Sequence, residues 1–289
     1  MTSEAVADDP SAWRLDAYFA ARPDAAAIAA VCALVPSAGA RPRPERIADA
    51  DWVTMSQAGI EPVRAGRFYV HTGTNGGVVP AGSKAFQIGA GLAFGTGTHA
   101  TTAGCLTALD ALKARGARFG DLLDLGTGTG LLAFAAMHLW PRARAVASDI
   151  DPQSIETVRE NAAINGVRLG QGPGELSLAV ASGLDHRTLI QRAPYDLVIA
   201  NILAGPLIAL APTIAAAMRG GGTLLLAGLL AGQAETVARA YRRQGLRLAE
   251  RTDHGDWPTL RLVKRVRHGR ERVTRRSSGR AETPGFGSW

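Results

Sequence analysis

Leu122-Leu123-Asp124-Leu125-Gly126-Thr127-Gly128-Thr129-Gly130, followed by an apolar run over 131–137, decides how the rest of the 289-residue chain is read. A short apolar run of strand character that ends in an acid, turns through three glycines and re-emerges as a helix is how an open α/β sheet makes a nucleotide crevice. Glycine lets backbone come close to a ligand, and a new helix presents its unpaired N–H groups there. The stretch predicts a cofactor site built around Asp124, Gly126 and Gly128.

The glycines alone leave the cofactor open, because Gly128-Thr129-Gly130-Leu131-Leu132-Ala133 also fits the loose dinucleotide pattern with Ala in third place. Two neighbours tilt the reading. Asp124 stands in the first turn, where it would repel a pyrophosphate, and Asp149 follows Gly128 by 21 residues, where an acid suits a ribose diol. S-adenosylmethionine, which carries an amino acid and a sulfonium in place of phosphates, meets both conditions.

Downstream the pattern alternates regularly. A helix over 130–139, a strand over 143–150, a helix opened by Asp151-Pro152 and stopped by Asn165-Gly166, and strands over 176–181 and 195–202 follow in order. Then come a helix over 206–218, a strand over 223–229, a helix over 232–244 and closing strands over 247–251 and 260–266. Strands separated by helices predict a doubly wound parallel α/β sheet, with the last pair able to form an antiparallel edge. Asn201 ends the strand before Gly205-Pro206, over the crevice where such sheets bind ligands; it reads equally well as a strand-end residue satisfying its own turn.

Upstream, Gly91, Gly95 and Gly97 make a pliable loop that runs into a helical pattern over 103–113, with Thr101 or Thr102 placed to cap it. The loop over 91–102 reads either as a plain connection or as a lid whose hydroxyls meet a carboxylate at the helix N-terminus. The main domain is expected to start near Arg64. The front holds one helix, over 24–34, before a Pro/Arg-rich break over 36–44.

The formal charge of +7 resembles a nucleic-acid signature until it is located. From Lys264 onward there are eight Lys or Arg and two acids, so the basicity belongs to the tail. Lacking hydrophobic periodicity, residues 267–289 read as a solvated disordered end, with weak attraction to ribosomal RNA as the functional alternative. The two cysteines, Cys32 and Cys105, supply neither a disulfide framework nor a metal set, so no metal is expected. The acidic start lacks a basic-then-apolar signal, and the apolar region over 198–218 is broken by Asn201, Gly205, Pro206 and Pro212. A cytoplasmic protein with no membrane span is expected.

As a whole the sequence resembles the ribosomal protein L11 methyltransferases (PrmA type), within the seven-strand S-adenosylmethionine-dependent methyltransferases. The resemblance is carried by Ala93-Phe-Gly-Thr-Gly-Thr-His-Ala-Thr-Thr102, by Asp124 to Gly130, by Asp149-Ile-Asp-Pro152 with Asn161 and Asn165-Gly166, and by Asn201-Ile-Leu-Ala-Gly-Pro-Leu207. It covers roughly residues 50–265, and its most specific parts are the Phe-Gly-Thr-Gly-Thr-His loop together with Asn-Ile-Leu-Ala. It implies a Rossmann-like seven-strand sheet, S-adenosylmethionine contacts from Thr102, Gly126, Asp149 and Asn201, and ribosomal protein L11 as the protein partner of a monomer. The family's small α/β recognition domain looks shortened here, as if its first strand and helix were missing. The implied division is a partial recognition region over 1–50, a linker over 51–63, the methyltransferase domain over 64–266 and the basic tail over 267–289.

The implied chemistry is methyl transfer from a sulfonium to a neutral amine of a lysine side chain or chain N-terminus. Asn201 and the carbonyls beside it would orient that amine, without a metal. Three rivals stand beside this reading. A nicotinamide oxidoreductase would need a proton donor such as a Tyr-x-x-x-Lys pair, which is absent. A methyltransferase of the same fold acting on another protein, a nucleic acid or a small molecule would share the cofactor site, although the Asn-Pro-Pro-aromatic motif common in nucleic-acid enzymes is absent. A non-catalytic RNA-binding protein would rest on the tail alone.

Overall fold

The computed structural model describes residues 2–6, 9–17, 19, 21–34, 45, 61–89 and 100–266. Most of the linker, residues 90–99 of the glycine loop and the basic tail over 267–289 lie outside the described residues, and with them the lid and RNA-contact expectations. The chain divides into two compact units, 1–56 and 57–289.

In the first unit β1 (Thr2–Val6) pairs antiparallel with β2 (Asp9–Asp16), and α1 (Ala25–Leu34) follows. Asp24 caps α1 by accepting from Ala27 N–H at 2.8 Å. The helix was legible from the sequence but the hairpin was not, because Asp and Pro at the head of β2 are residues that strands avoid.

In the second unit a small sheet of β3 (Val63–Ala65), β4 (Phe68–His71) and β5 (Lys84–Gln87) has β3 antiparallel and β5 parallel to the central β4. The main sheet has β6 (Asp121–Leu125), β7 (Arg144–Asp149), β8 (Leu176–Val180), β9 (Tyr195–Asn201), β10 (Met218–Ala227), β11 (Leu246–His254) and β12 (Trp257–Lys264), in the order β11-β12-β10-β9-β6-β7-β8. Strands β6 to β10 are mutually parallel, and β12 runs antiparallel between β10 and β11. The chain winds outward from β6 through β7 to β8, then returns to β9 on the other side of β6. The strand order therefore reverses between β6 and β9, and the crevice past their carboxyl ends is where a doubly wound sheet takes its ligand.

Between and around the strands lie α2 (Ala100–Ala114), α3 (Leu131–Leu139), α4 (Pro152–Ile164), α5 (Arg187–Arg192), α6 (Ala204–Ala209), α7 (Ala211–Ala217) and α8 (Ala234–Arg243). Strand β6 is buried at every position because both faces of the sheet are covered. On one face Leu122, Leu197, Ile199 and Leu225 pack against Cys105, Leu106 and Leu109 of α2 and against α3. On the other, Leu123, Val198, Leu224 and Leu226 pack against Leu207, Ile214 and Val237 from α6, α7 and α8. Each such Leu or Val is worth about 1.5–3 kcal/mol when fully buried.

The predicted helix over 206–218 is two helices that meet at Leu210, with Pro212 in the first turn of α7. Proline has no N–H to continue the preceding helix and is tolerated only in a first turn. The last residue of that prediction, Met218, belongs instead to β10. Helix α5, too short to show a periodicity, was unread; His186 caps it, its ring accepting from Thr188 N–H at 3.2 Å. Among the described residues no helix is long and apolar enough to cross a membrane.

Candidate functional site

The turn after β6 is held by three backbone hydrogen bonds. Gly126 and Thr127 donate their N–H groups to the Ser148 carbonyl of β7 at 2.8 and 3.0 Å, and Gly130 N–H closes the turn onto the Thr127 carbonyl at 3.1 Å. Gly126 has φ of 71°, and a Cβ there would collide with Ile202 Cγ2 from the end of β9. Gly130 has φ of 86°, and its Cβ would lie 2.7 Å from Phe134 and 2.9 Å from Val158. No side chain fits at either place.

Asp124 lies beneath this turn, only 2% exposed. Its Oδ2 accepts from the Thr127 hydroxyl at 2.7 Å and from Ala133 N–H at 3.1 Å, which ties the end of β6 to the first turn of α3. Its Oδ1 is buried with no hydrogen-bond partner among the described residues. Burial pushes the Asp124 carboxyl up to about 6; the Thr127 and Ala133 bonds oppose this, and the charge of Asp149 adds to it. Nearby, burial and the Asp124 charge raise the Cys105 thiol far above its ordinary value, so it stays a protonated core residue.

Asp149 ends β7, and both of its oxygens are oriented by backbone. Oδ2 accepts from Gly128 N–H at 2.9 Å and Oδ1 from Asp151 N–H at 3.1 Å. Each oxygen keeps a further lone pair for another donor. On the neighbouring side of β6, Asn201 ends β9, and its Nδ2 donates to Thr102 Oγ1 at 3.3 Å. Thr101 and Thr102 are not the predicted cap of α2. The helix already includes Ala100, so both hydroxyls stand inside the first turn, buried, with Thr102 turned to Asn201.

All the residues singled out in the sequence around the turn therefore meet at the carboxyl ends of β6, β7 and β9. Residues that went unread as functional are Thr127, which shares Asp124, and Asn161. The Asn161 amide donates to the Thr129 carbonyl at 2.9 Å and accepts from Gly89 N–H at 2.9 Å. A buried Asn in the interior of a predicted helix, where Asn is a poor helix former, was the available signal.

The electrostatics discriminate between ligands. Two carboxylates close enough for one to raise the other's proton affinity make a site that disfavours a pyrophosphate and favours a cation. The buried Asp124 charge and the glycines of the turn suit a positively charged ligand such as S-adenosylmethionine. Among the described residues no group of three or more His, Cys, Asp or Glu could hold a metal.

A family model described as ribosomal protein L11 methyltransferase (PrmA) matches residues 3–265. The ribosomal protein L11 methyltransferase of Caulobacter sp. (strain K31) is 44% identical over 258 residues, covering 89% of this chain and 85% of that one. That of Agrobacterium fabrum is 42% identical over 221 residues, covering 76% and 73%. Among solved structures, the ribosomal protein L11 methylase from Lactobacillus delbrueckii subsp. bulgaricus shares the fold, with a TM-score of 0.61 at 24% identity over 72% of this chain and 100% of that chain. Taken with the site at the switch point of the sheet, a match of this extent means that the chain belongs to the ribosomal protein L11 methyltransferase (PrmA) family and is an S-adenosylmethionine-dependent methyltransferase.

Proposed function

We propose that the chain transfers methyl groups from S-adenosylmethionine to amino groups of ribosomal protein L11, lysine side chains, the chain N-terminus or both. The observation that carries this reading is the convergence of Asp124, Asp149 and Asn201 at adjacent strand ends around a turn whose Gly126 and Gly130 positions admit no side chain. The protein partner follows the names of the curated relatives.

The cofactor supplies an activated methyl group on a positively charged sulfur. What remains for the chain is to bind, align and keep the acceptor nitrogen unprotonated. Asp149 accepts from the ribose hydroxyls with the lone pairs left after Gly128 and Asp151. Asp124 holds the turn through Thr127 and Ala133 and sets its negative charge beneath the cationic end of the cofactor. Thr102 fixes the Asn201 amide by accepting from Nδ2, and Asn201 Oδ1 accepts a hydrogen bond from the acceptor amine, which leaves the nitrogen lone pair for the methyl. Gly126 and Gly128 let the backbone lie against the cofactor. No general base is assigned, because desolvation in the crevice lowers an amine's pKa in the direction the reaction needs.

In the same reading residues 1–50 act as a partial recognition region joined by the 51–63 linker to the 64–266 methyltransferase domain. The protein works in the cytoplasm as a monomer, and its 267–289 tail adds weak contact with ribosomal RNA. The test is incubation of the full chain with tritiated S-adenosylmethionine and a mixture of undermethylated ribosomal proteins. Label confined to L11 is expected; label on other proteins with L11 blank would overturn the choice of substrate.

A further inference from the structure

The open edge of the small sheet is closed by two side-chain amides in place of a strand. Strand β5 is last in the order β3-β4-β5, so among the described residues no strand pairs with its outer edge. Asn165 Oδ1 accepts from Gln87 N–H at 3.0 Å and Asn165 Nδ2 donates to the Gln87 carbonyl at 2.8 Å. That is the two-bond exchange a neighbouring strand residue makes. One helical turn earlier, Asn161 Oδ1 accepts from Gly89 N–H, two residues further along the same chain.

Asn161 differs from Asn165 in what its other hand does. Asn165 Nδ2 also returns to its own helix, at the Asn161 carbonyl, 2.8 Å away. Asn161 Nδ2 leaves the helix and donates to the Thr129 carbonyl. The Thr129–Gly130 peptide is then held at both ends, its carbonyl by Asn161 and its N–H by the Thr127 carbonyl. Because the peptide unit is planar, fixing both ends fixes the tip of the glycine turn. Asn161 is 1% exposed, between Val158 and Ala162, which are fully buried, and on helix stability alone an apolar residue would serve better there.

We infer that Asn161 is a positioning residue for cofactor binding: it sets the Thr129–Gly130 peptide of the glycine turn and fastens that turn to the end of β5. The inference rests on the reading that this turn carries S-adenosylmethionine. Its mark is a cofactor defect in a residue too deep to touch the cofactor, and the absence of that defect at Asn165, which holds β5 but not the turn.

The test is calorimetric titration of S-adenosylhomocysteine into the full chain and into N161L, N161D and N165A, with steady-state kinetics alongside. N161L loses both bonds, whereas N161D keeps the acceptor for Gly89 and loses the donor to Thr129 at neutral pH. Both Asn161 variants are expected to bind S-adenosylhomocysteine about tenfold more weakly, equivalent to about 1.4 kcal/mol, because the ligand must then order a turn that Asn161 no longer holds. They should also raise KM for S-adenosylmethionine, leaving KM for the protein substrate unchanged. N165A should lower the melting temperature but bind within about twofold of the parent. Should N161L fail to fold, N161D carries the comparison. Unchanged affinity in the Asn161 variants, or an equal loss in N165A, would overturn the inference. A parent that binds no S-adenosylhomocysteine would instead overturn the cofactor reading beneath it.

Discussion

Asn201 Nδ2 donates to Thr102 Oγ1 at 3.3 Å across 99 residues of sequence, joining the end of β9 to the first turn of α2. The contact places the amide of one sequence motif under the control of another. It also leaves Asn201 Oδ1 with no hydrogen-bond partner among the described residues.

Removing that amide should therefore slow methyl transfer with little effect on stability, since Asn201 is only half-buried and gives up one long hydrogen bond. Asn201→Ala is expected to lower the single-turnover rate at saturating cofactor by on the order of a hundredfold, the scale of a near-attack geometry displaced by about 1 Å. Asn201→Asp should also slow the step, because its charge stabilises the sulfonium before transfer more than during it. A parental rate in Asn201→Ala would return the residue to the role of a turn cap.

Asp149→Ala should weaken S-adenosylhomocysteine binding more than it weakens the fold. Two ribose hydrogen bonds to a charged acceptor are worth about 1.5–3 kcal/mol each. The same change frees Gly128 and Asp151 N–H groups, so some of the loss reflects a loosened turn. Calorimetry reads the affinity and thermal melting the fold; equal affinity in variant and parent would remove Asp149 from the site.

Much of this arrangement was legible before the fold was known. The apolar run into Asp124 and the three glycines announce a strand, a turn and a helix, and the spacing to Asp149 places the second acid, because both signals are local. Asn201 could be placed at a strand end, although only its contact with Thr102 separates it from an ordinary turn residue. Asn161 was visible only as part of the family resemblance, and its role was hidden, because its partners stand 72 and 32 residues away and a polar side chain in a helix reads first as a solvated one. The break at Leu210 was missed because the apolar residues around it suit one long helix as well as two short ones.

Acid should reveal Asp124. Its carboxyl is raised in the folded state from an ordinary 3.8 to about 6 by burial, so the folded protein holds a proton that the unfolded chain has released. The contribution of this group to stability is greatest below about pH 4 and is lost as pH rises to about 6, by on the order of 2–3 kcal/mol. Cofactor binding, which brings positive charge to the carboxylate, should release a proton in the same window. Urea midpoints between pH 4 and 7, with Asp124→Asn as reference, measure the slope, and identical pH profiles in the two proteins would contradict it.

Gly126→Ala should destabilise the fold by about 1–3 kcal/mol, because alanine must adopt a φ of 71° and its Cβ meets Ile202 Cγ2. The loss should appear in cofactor affinity as well, since Ile202 follows Asn201 directly. Parental melting and affinity in this variant would show that the turn can move away from β9.

The most direct measurement is mass spectrometry of purified, unmethylated ribosomal protein L11 after incubation with the full chain and S-adenosylmethionine. Mass gains in whole methyl units, located on amino groups and abolished by omitting the cofactor, are predicted. An unmodified L11, from a chain that binds S-adenosylhomocysteine and is folded, would contradict the assignment of L11 amines as the acceptor.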